Sequence, residues 1–341
     1  MKYIYIQFLI LSLILIAISC SDNKIDNYDF SPLEPESVFK FEQELNIKDN
    51  FFEKDTLIDL PDFTNTIYKI QSSDGVIYFN DSRAIYTLNE NLEVKEYFVP
   101  NKGKGPAEVT QIFRFDILKD SVIAIANYPE QRILIHDLVN DTAYVLQTKY
   151  DNDVLIRNSN NFIALKTNSE TGKMFQALSL LDDNQSSFGE LFNNQIRSLD
   201  MLNAHIDTYN RENFVIAFNS VGYMAGFNFD GSITFLAESS IFPGFIGKYV
   251  TRNGISYFDD EGKTITNALT VGENEFHIFT RLFGNKKGEI LGSIIDVFDL
   301  RSGQYIYSYK LDEEIDEFEL VSDSILVGIT EQHQLGVWKK E

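Results

Sequence analysis

Six copies of one sequence pattern constrain the fold of this chain more than any other feature. Each copy has a polar turn followed by three to five apolar residues, many of them β-branched or aromatic. The apolar segments are Val76–Phe79, Val122–Ile125, Phe162–Leu165, Phe214–Phe218, Phe276–Phe279 and Ile325–Val327. Their first residues are separated by 46, 40, 52, 62 and 49 positions. Repeats of this length that are built from short strands are typical of β-propellers.

Hairpin turns follow the first five copies and indicate that the strands within each repeat are antiparallel. They are Asn89–Asn91, Val139–Asp141, Asp182–Asn184, Asp230–Gly231 and Arg301–Gly303. Helical repeats are excluded because the apolar residues alternate or run continuously, which is the pattern of strands. A β-sandwich would not return one pattern six times. We therefore predict an all-β fold, a six-bladed β-propeller with four-stranded antiparallel blades.

The two ends of the chain are expected to close the ring. The sixth copy has only Ile325–Ile329 and Leu335–Lys339 as strands before the chain stops, so its blade is short of strands. The segment Thr56–Leu60 precedes the first full copy and can supply the missing outer strand. Pairing of the N- and C-terminal strands would leave no open sheet edge in the last blade.

The N-terminus is typical of a bacterial export signal. Met1–Lys2 gives a basic start, and Ile4–Ile18 is almost entirely apolar. This run is shorter than the ~20 residues that a membrane-spanning helix needs, so it predicts a cleaved signal. Ser19 then precedes Cys20, the only cysteine of the chain. A small residue before a cysteine at this position predicts lipidation of Cys20.

Three segments follow from this pattern. We predict that residues 1–19 are a lipoprotein signal peptide, 20–37 a lipidated flexible tether, and 38–341 the propeller. The predicted location is the cell envelope, as an outer-membrane lipoprotein, with the periplasmic and surface faces both open. No disulfide can form with one cysteine, so stability must come from an apolar core, for which 44% hydrophobic residues suffice.

The net charge of −22 limits the partners. Nucleic-acid binding is excluded because it needs a concentrated positive surface. Membrane contact is expected through the N-terminal lipid alone. An envelope protein, a small molecule or a glycan remains open as the ligand.

The stretch Val99–Asp137 carries a resemblance to a known family. Its parts are the loop Gly103–Glu108, the strands Phe113–Ile117 and Val122–Ala126, and the pair Arg132–Ile133. This order resembles the six-bladed β-propeller lipoproteins of Bacteroidetes, which are related to TolB-like and NHL-like propellers. The chain has Ala107 where that family commonly has glycine. The resemblance implies a lipidated envelope propeller and no particular reaction.

The same glycine-containing loop is the one candidate binding loop. It comprises Lys102, Gly103, Lys104, Gly105, Pro106 and Glu108. Exposed backbone amides and two lysines would suit an anion. The alternative is a tight connection between two blades, in which Pro106 fixes the turn. A dinucleotide loop is excluded because the third glycine and the following helix are missing.

No catalytic residue can be assigned from the sequence. A nucleophile elbow, a phosphate-binding P-loop and a zinc-protease motif are absent, and the four histidines are scattered. We predict a binding or interaction module without a cofactor. The alternative is a calcium-dependent propeller hydrolase or lactonase, with axial Asp, Glu and Asn ligands that the sequence does not identify.

Two further features are left with two interpretations each. The long connection from Ser240 to Asn274 is either a partner contact or an extra hairpin on one blade. The single tryptophan, Trp338, is expected in the core, with a sugar-stacking platform as the alternative.

Overall fold

The fold was analysed in a computed structural model. It describes residues 38–39, 46–48, 51–58, 60, 66–73, 75–89, 93–118, 121–127, 130, 132–147, 154–165, 173–181, 186–189, 191, 204–208, 210–219, 221–241, 248–252, 255–259, 266–284, 289–311 and 313–340. The predicted signal peptide, Cys20 and the tether lie outside these residues, so those assignments stay predictions. In the part of the chain that is described, no helix is long and apolar enough to cross a membrane.

Six antiparallel sheets form the blades. Three short strands come first in the chain: β1 (Val38–Phe39), β2 (Ile47–Lys48) and β3 (Phe52–Ile58). Blade 1 has β4 (Lys69–Ser73), β5 (Val76–Asn80), β6 (Ile85–Leu88) and β7 (Val94–Phe98), and blade 2 has β8 (Arg114–Leu118), β9 (Val122–Asn127), β10 (Arg132–Asp137) and β11 (Thr142–Gln147). Blade 3 has β12 (Val154–Asn158), β13 (Asn161–Leu165), β14 (Phe175–Ser179) and β15 (Ser186–Phe188), and blade 4 has β16 (Ala204–Asp207), β17 (Asn213–Phe218), β18 (Tyr223–Asn228) and β19 (Ile233–Glu238).

The remaining strands complete the ring and one insertion. The insertion is a two-stranded sheet of β20 (Lys248–Arg252) and β21 (Ile255–Asp259). Blade 5 has β22 (Ala268–Val271), β23 (Glu275–Gly284), β24 (Glu289–Asp299) and β25 (Tyr305–Tyr309). Blade 6 has β26 (Ile315–Ser322), β27 (Ile325–Thr330) and β28 (Leu335–Lys340), with β3 as its fourth strand. The prediction of a six-bladed propeller with four-stranded antiparallel blades is confirmed.

The six sequence copies occupy one equivalent position. They form β5, β9, β13, β17, β23 and β27, the second strand of each blade. A second strand has a neighbour on both sides in its own sheet and packs against the adjacent blades on both faces. Its residues are therefore mostly apolar, as in β9, where five of the six residues are apolar and all six are buried.

Apolar packing between neighbouring blades holds the ring together. Six clusters of buried side chains each join two adjacent blades. One of them joins blade 6 to blade 1, where Val327 and Leu335 pack with Ile77 and Phe79. The ring is thus closed by a hydrophobic interface of the same kind as the other five.

The N-terminal strands complete the perimeter. β3 pairs antiparallel with β28, from Leu335 opposite Ile58 to Lys340 opposite Phe52. The predicted closure by the two chain ends is confirmed, although the strand begins at Phe52 rather than Thr56 and ends at Ile58. β1 and β2 add parallel to the outer strands of blades 4 and 5. They were not predicted, because two-residue strands carry no readable pattern.

Trp338 lies in the core, on the third strand of blade 6, and is completely buried. A Cβ atom at Gly336 would overlap its indole ring, and one at the paired Gly328 would lie 3.1 Å from it. The two glycines therefore make space for the indole between the strands. The sugar-platform interpretation of Trp338 is excluded by this burial.

The long connection after Ser240 contains the hairpin of β20 and β21. Its strands pair from Lys248 opposite Asp259 to Arg252 opposite Ile255, and they form a sheet of their own. An extra hairpin is therefore present in this interval, separate from the four-stranded blades.

Candidate ligand-binding site on the propeller axis

The propeller axis ends in an open cavity. The innermost strands β4, β8, β12, β16, β22 and β26 each contact the next around the ring, and β26 contacts β4. A cavity of about 500 Å³ lies where these strands end and the turns to the second strands begin. Its lining includes Ser72, Arg211, Glu273, Glu319, Ser322 and Asp323. The polar turns of the repeated sequence pattern therefore surround the mouth of the cavity.

Side chains from alternate blades place three buried carboxyl groups on the innermost strands, in a layer that we call the floor, and one of them, Glu319, lines the cavity. Asp116 is on β8 of blade 2, Asp207 on β16 of blade 4 and Glu319 on β26 of blade 6. Gln71 and Thr270 occupy the equivalent positions of blades 1 and 5. All five side chains are buried.

Asp116 is held by donors from three other blades. Its Oδ2 accepts a hydrogen bond from the Ile156 amide at 2.5 Å, and its Oδ1 accepts one from the side-chain amide of Gln71. Arg211 contacts both oxygens, with Nη2 3.0 Å from Oδ1. Burial alone would raise the pKa of Asp116, but the charge of Arg211 and these bonds hold it below the ordinary value. Asp116 is therefore an ionised partner of Arg211.

Arg211 reaches across the cavity from the first turn of blade 4. Its backbone is left-handed, with φ of 61°, and its amide donates to Thr208 Oγ1 at 3.2 Å. Its guanidinium also donates to the carbonyls of Ile117 at 2.8 Å and Ile156 at 3.0 Å. One side chain thus ties blade 4 to blades 2 and 3 at the floor.

Asp207 and Glu319 are two further buried carboxyl groups, and their pKa values are raised, whereas that of Asp116 is lowered. Glu319 Oε1 accepts from the Ser72 amide at 3.1 Å and from the Ser72 hydroxyl at 2.7 Å. Its Oε2 accepts from Thr270 Oγ1 at 3.0 Å, while Asp207 Oδ2 accepts from the Val271 amide at 2.8 Å. Burial raises the pKa of both groups, and the charge of Asp207 raises that of Glu319 further. The pair therefore retains a proton well above the ordinary carboxyl range.

A second layer of charged residues lies below the floor. Arg114 Nη1 is 3.3 Å from Glu317 Oε2, and Lys69 lowers the pKa of Asp207 by its charge. His205 is in the same layer, where burial, Arg114 and Lys69 lower its pKa to about 3. His205 is therefore neutral at physiological pH.

The sequence-predicted binding loop lies at the opposite end of the axis. It leads into the beginning of β8, whereas Leu118 at the end of that strand lines the cavity. Within the loop, Glu108 Oε2 accepts from the Gly105 amide at 2.7 Å, and the Gly103 amide donates to the Val109 carbonyl at 3.2 Å. A Cβ atom at Gly103 would overlap the Glu108 carboxylate.

Arg132, which is part of the family-like motif, supports this loop from below. Its Nη2 donates to the carbonyl of Glu108 at 2.7 Å, and its Nη1 lies 3.5 Å from that of Lys104. The glycines therefore serve a compact turn around Glu108. Binding of an anion by this loop, which comprises Lys102, Gly103, Lys104, Gly105, Pro106 and Glu108, stays a prediction.

A smaller cavity of about 140 Å³ lies between blades 5 and 6 and shares Glu273 and Asp323 with the axial cavity. His277 lines it, with Nδ1 3.0 Å from Tyr309 Oη and Nε2 3.7 Å from Glu275 Oε2. Burial lowers the pKa of His277, so this imidazole is neutral at physiological pH.

The described residues do not form a metal centre of acidic, histidine or cysteine ligands. They contain no group of three or more His, Cys, Asp and Glu side chains arranged to hold an ion. Among the described axial residues, Asp116 is paired with Arg211 and Glu317 with Arg114, which leaves the carboxyl groups of Asp207 and Glu319. An axial calcium would therefore need amide and hydroxyl oxygens in addition.

A sequence signal for the axial residues does exist. Each floor residue stands five to seven positions before the apolar segment of its own blade, within an otherwise mostly apolar strand. The set is Gln71, Asp116, Asp207, Thr270 and Glu319. A polar residue at a similar offset before five of the six repeats is the trace that the floor leaves in the sequence, although blade 3 has Ile156 at this position.

This chain resembles several solved structures in its fold. No family model matches it, and no curated protein matches it in sequence. A putative exported protein from Bacteroides fragilis has a TM-score of 0.54 at 12% identity, covering 89% of this chain and 99% of that one. A member of the DUF4221 family from Bacteroides vulgatus has a TM-score of 0.53 at 12% identity, covering 85% and 97%. A streptogramin B lyase has a TM-score of 0.51 at 12% identity, covering 84% and 97%.

These similarities show the propeller fold. At such identities they carry no information on the residues of the axial cavity.

Proposed function

We propose that this protein is a lipid-anchored propeller of the cell envelope that binds a small polar ligand in its axial cavity. One observation carries the proposal: a cavity of about 500 Å³ opens on the axis and is lined by hydroxyl, amide and charged side chains. Pockets with a few convergent polar groups and perturbed carboxyl pKa values are the usual binding sites of such domains.

Export is supported by two independent features. The signal-like N-terminus ends at Ser19–Cys20. Two structural neighbours of similar length come from Bacteroides, and one of them is described as a putative exported protein. An outer-membrane lipoprotein is the location that fits both features.

Binding is preferred to calcium-dependent hydrolysis on the chemistry of the floor. A hydrolase of that kind needs an ion held by several anionic or neutral oxygens. Asp116, which would be the third carboxylate, is paired with Arg211 and saturated with donors. The site therefore suits recognition better than metal-assisted chemistry.

A thermal-shift screen with a matched pair of variants tests ligand binding. Ser322→Trp places a large ring at the exposed rim of the cavity, and Ser186→Trp places the same ring on the outer strand of blade 3. We expect polar metabolites and short glycans that stabilise the wild type to stabilise Ser186→Trp equally and Ser322→Trp not at all. Equal stabilisation of all three proteins would refute an axial site.

Membrane attachment is tested separately. We expect Cys20→Ser to abolish acyl labelling and to move the protein to the aqueous phase in detergent phase separation, whereas Ser21→Ala retains both properties. Equal partition of Cys20→Ser and wild type would refute lipidation.

A further inference from the structure

The axial layers carry an unbalanced charge. Among the described residues of these layers, four carboxyl groups face three permanent cations. The carboxyl groups are Asp116, Asp207, Glu317 and Glu319, and the cations are Lys69, Arg114 and Arg211. The equivalent positions of blades 3 and 5 hold the uncharged residues Val154, Ile156, Ala268 and Thr270. One positive charge is therefore missing when all four carboxyl groups are ionised.

His205 does not supply the missing charge. It is buried, and the nearby Arg114 and Lys69 disfavour its protonation. Its Nε2 also has no hydrogen-bond partner. In the absence of a ligand, the deficit is met by a proton on the pair formed by Asp207 and Glu319.

An unpartnered acceptor lies at the same level. The Gln71 side chain is only 3% exposed, and its Nε2 donates to Asp116, whose carboxylate is also reached from blades 3 and 4. The amide of Gln71 is thus at the axis, and its Oε1 has no donor in the protein. A buried carbonyl oxygen without a donor is costly, so a donor from a ligand is favoured there.

The cavity above the floor also favours a cation. Glu319 forms part of its lining, and Glu273 and Asp323 are exposed at its rim. The single positive lining group among the described residues, Arg211, is neutralised by Asp116. A ligand that enters the cavity therefore meets negative charge from rim to floor.

We propose that the axial cavity binds a small polar molecule through a primary ammonium group, which contacts Glu319 in the cavity lining and displaces one proton from the carboxyl pair to solvent, with Asp207 and Gln71 Oε1 as the acceptors in the layer behind Glu319. An ammonium group has three donors and one charge, which match the acceptors and the charge deficit of the floor. This inference rests on the proposed function, because it concerns the ligand of the same cavity.

The exchange has a defined dependence on pH. The proton must leave the carboxyl pair before the ammonium binds, so affinity rises as the pH rises through the range in which the pair titrates. His205 stays neutral throughout this range, because burial and the charges of Arg114 and Lys69 lower its pKa. Amine binding should therefore be accompanied by proton release.

Isothermal titration calorimetry with the mature protein tests whether amine binding releases a proton. The probes are putrescine and glucosamine, with 1,4-butanediol as the uncharged counterpart of putrescine and glucose as that of glucosamine, each in two buffers of different ionisation enthalpy. We expect at least one amine to bind with release of about one proton and its uncharged counterpart to bind about tenfold more weakly or not at all. Calcium chloride is titrated in parallel.

Two isosteric variants and one control locate the site. Glu319→Gln and Asp207→Asn should lose about tenfold or more in amine affinity and release no proton. Asp296→Asn should bind the amine with wild-type affinity and wild-type proton release. Asp296 is also buried, but it lies on β24, where Ser240 and Ser308 donate to it away from the axis.

The outcomes separate this inference from the proposed function. Equal binding of an amine and its uncharged counterpart, or amine binding without proton release, would overturn the inference and leave a ligand site in the cavity intact. Binding of calcium but of no amine would also overturn it. Failure of the Ser322→Trp test would remove the proposed function itself. The wild-type titrations alone decide the question if either floor variant does not fold.

Discussion

Arg211 offers a quantitative test of the axial structure. The substitution Arg211→Met removes the guanidinium that pairs with the fully buried Asp116 and donates to the carbonyls of Ile117 and Ile156. Breaking a buried ion pair by removing one partner costs about 3–5 kcal/mol, because the other charge stays buried without compensation. A loss of this size is a large part of the total stability of a typical domain.

Urea denaturation at two pH values measures the effect. We expect the unfolding midpoint of Arg211→Met to fall by about 1 M or more at pH 7.5. Wild-type Asp116 has a lowered pKa, so its stabilising contribution is present above the unfolded-state pKa and is lost only as the pH falls through the lower folded value. In the variant, burial raises the pKa of Asp116, so protonation near pH 4.5 should relieve most of the deficit.

Two further variants control this result. Asp116→Asn combined with Arg211→Met should recover part of the loss, because the buried charge is then absent. Arg83→Met should have a much smaller effect, because the ion pair of Arg83 with Glu96 is exposed to solvent. An unchanged midpoint in Arg211→Met, or a deficit that is equal at both pH values, would refute the assignment of Asp116 and Arg211 as a buried pair.

Three other predictions follow from packing, closure and titration. Gly336→Ala should cost about 1–3 kcal/mol in chemical denaturation, because the new Cβ overlaps the buried indole of Trp338, and an unchanged midpoint would contradict this packing. Deletion of 52–58 should prevent cooperative unfolding, whereas deletion of the tether should not, and equal melting curves would argue against closure by β3. Burial raises the pKa of Asp296 to about 6. The stability that this group contributes is therefore fully present below the unfolded-state pKa and is lost as the pH rises through 6. The free energy of unfolding of Asp296→Asn should exceed that of wild type by about 2–3 kcal/mol at pH 7.5 and by little at pH 4.

The sequence was sufficient for the architecture because each blade encodes itself locally. The apolar second strands and the turns around them need only neighbouring residues, so the six copies predicted all six blades. The closing strand was predicted within four residues of its start, since an incomplete last blade requires a partner. In contrast, the parallel strands β1 and β2 are too short to have a pattern.

The axial site could not be predicted in the same way. Its members come from five blades and are separated by up to 248 positions, from Gln71 to Glu319. No local motif joins them, and Arg211 contacts Asp116 from a turn whose left-handed backbone has no signal in the sequence. The glycine-containing loop at Lys102–Glu108 was the more visible motif, yet its amides at Gly103 and Gly105 are bonded within the loop.

Calcium dependence stays open to a direct measurement. We expect chelation to leave the melting temperature unchanged within a degree or two, because the described axial carboxyl groups do not form a three-ligand cluster. A large rise in melting temperature with calcium would instead favour the hydrolase alternative.

Crystallographic fragment screening tests the central claim most directly. Crystals of the mature protein would be soaked with a library of small polar fragments that includes amines and their uncharged counterparts. We predict that bound fragments concentrate in the axial cavity, in contact with Ser72, Arg211 or Glu319. Fragments that bind elsewhere on the propeller while the axial cavity stays closed by its own side chains would contradict the claim that this cavity is the ligand site.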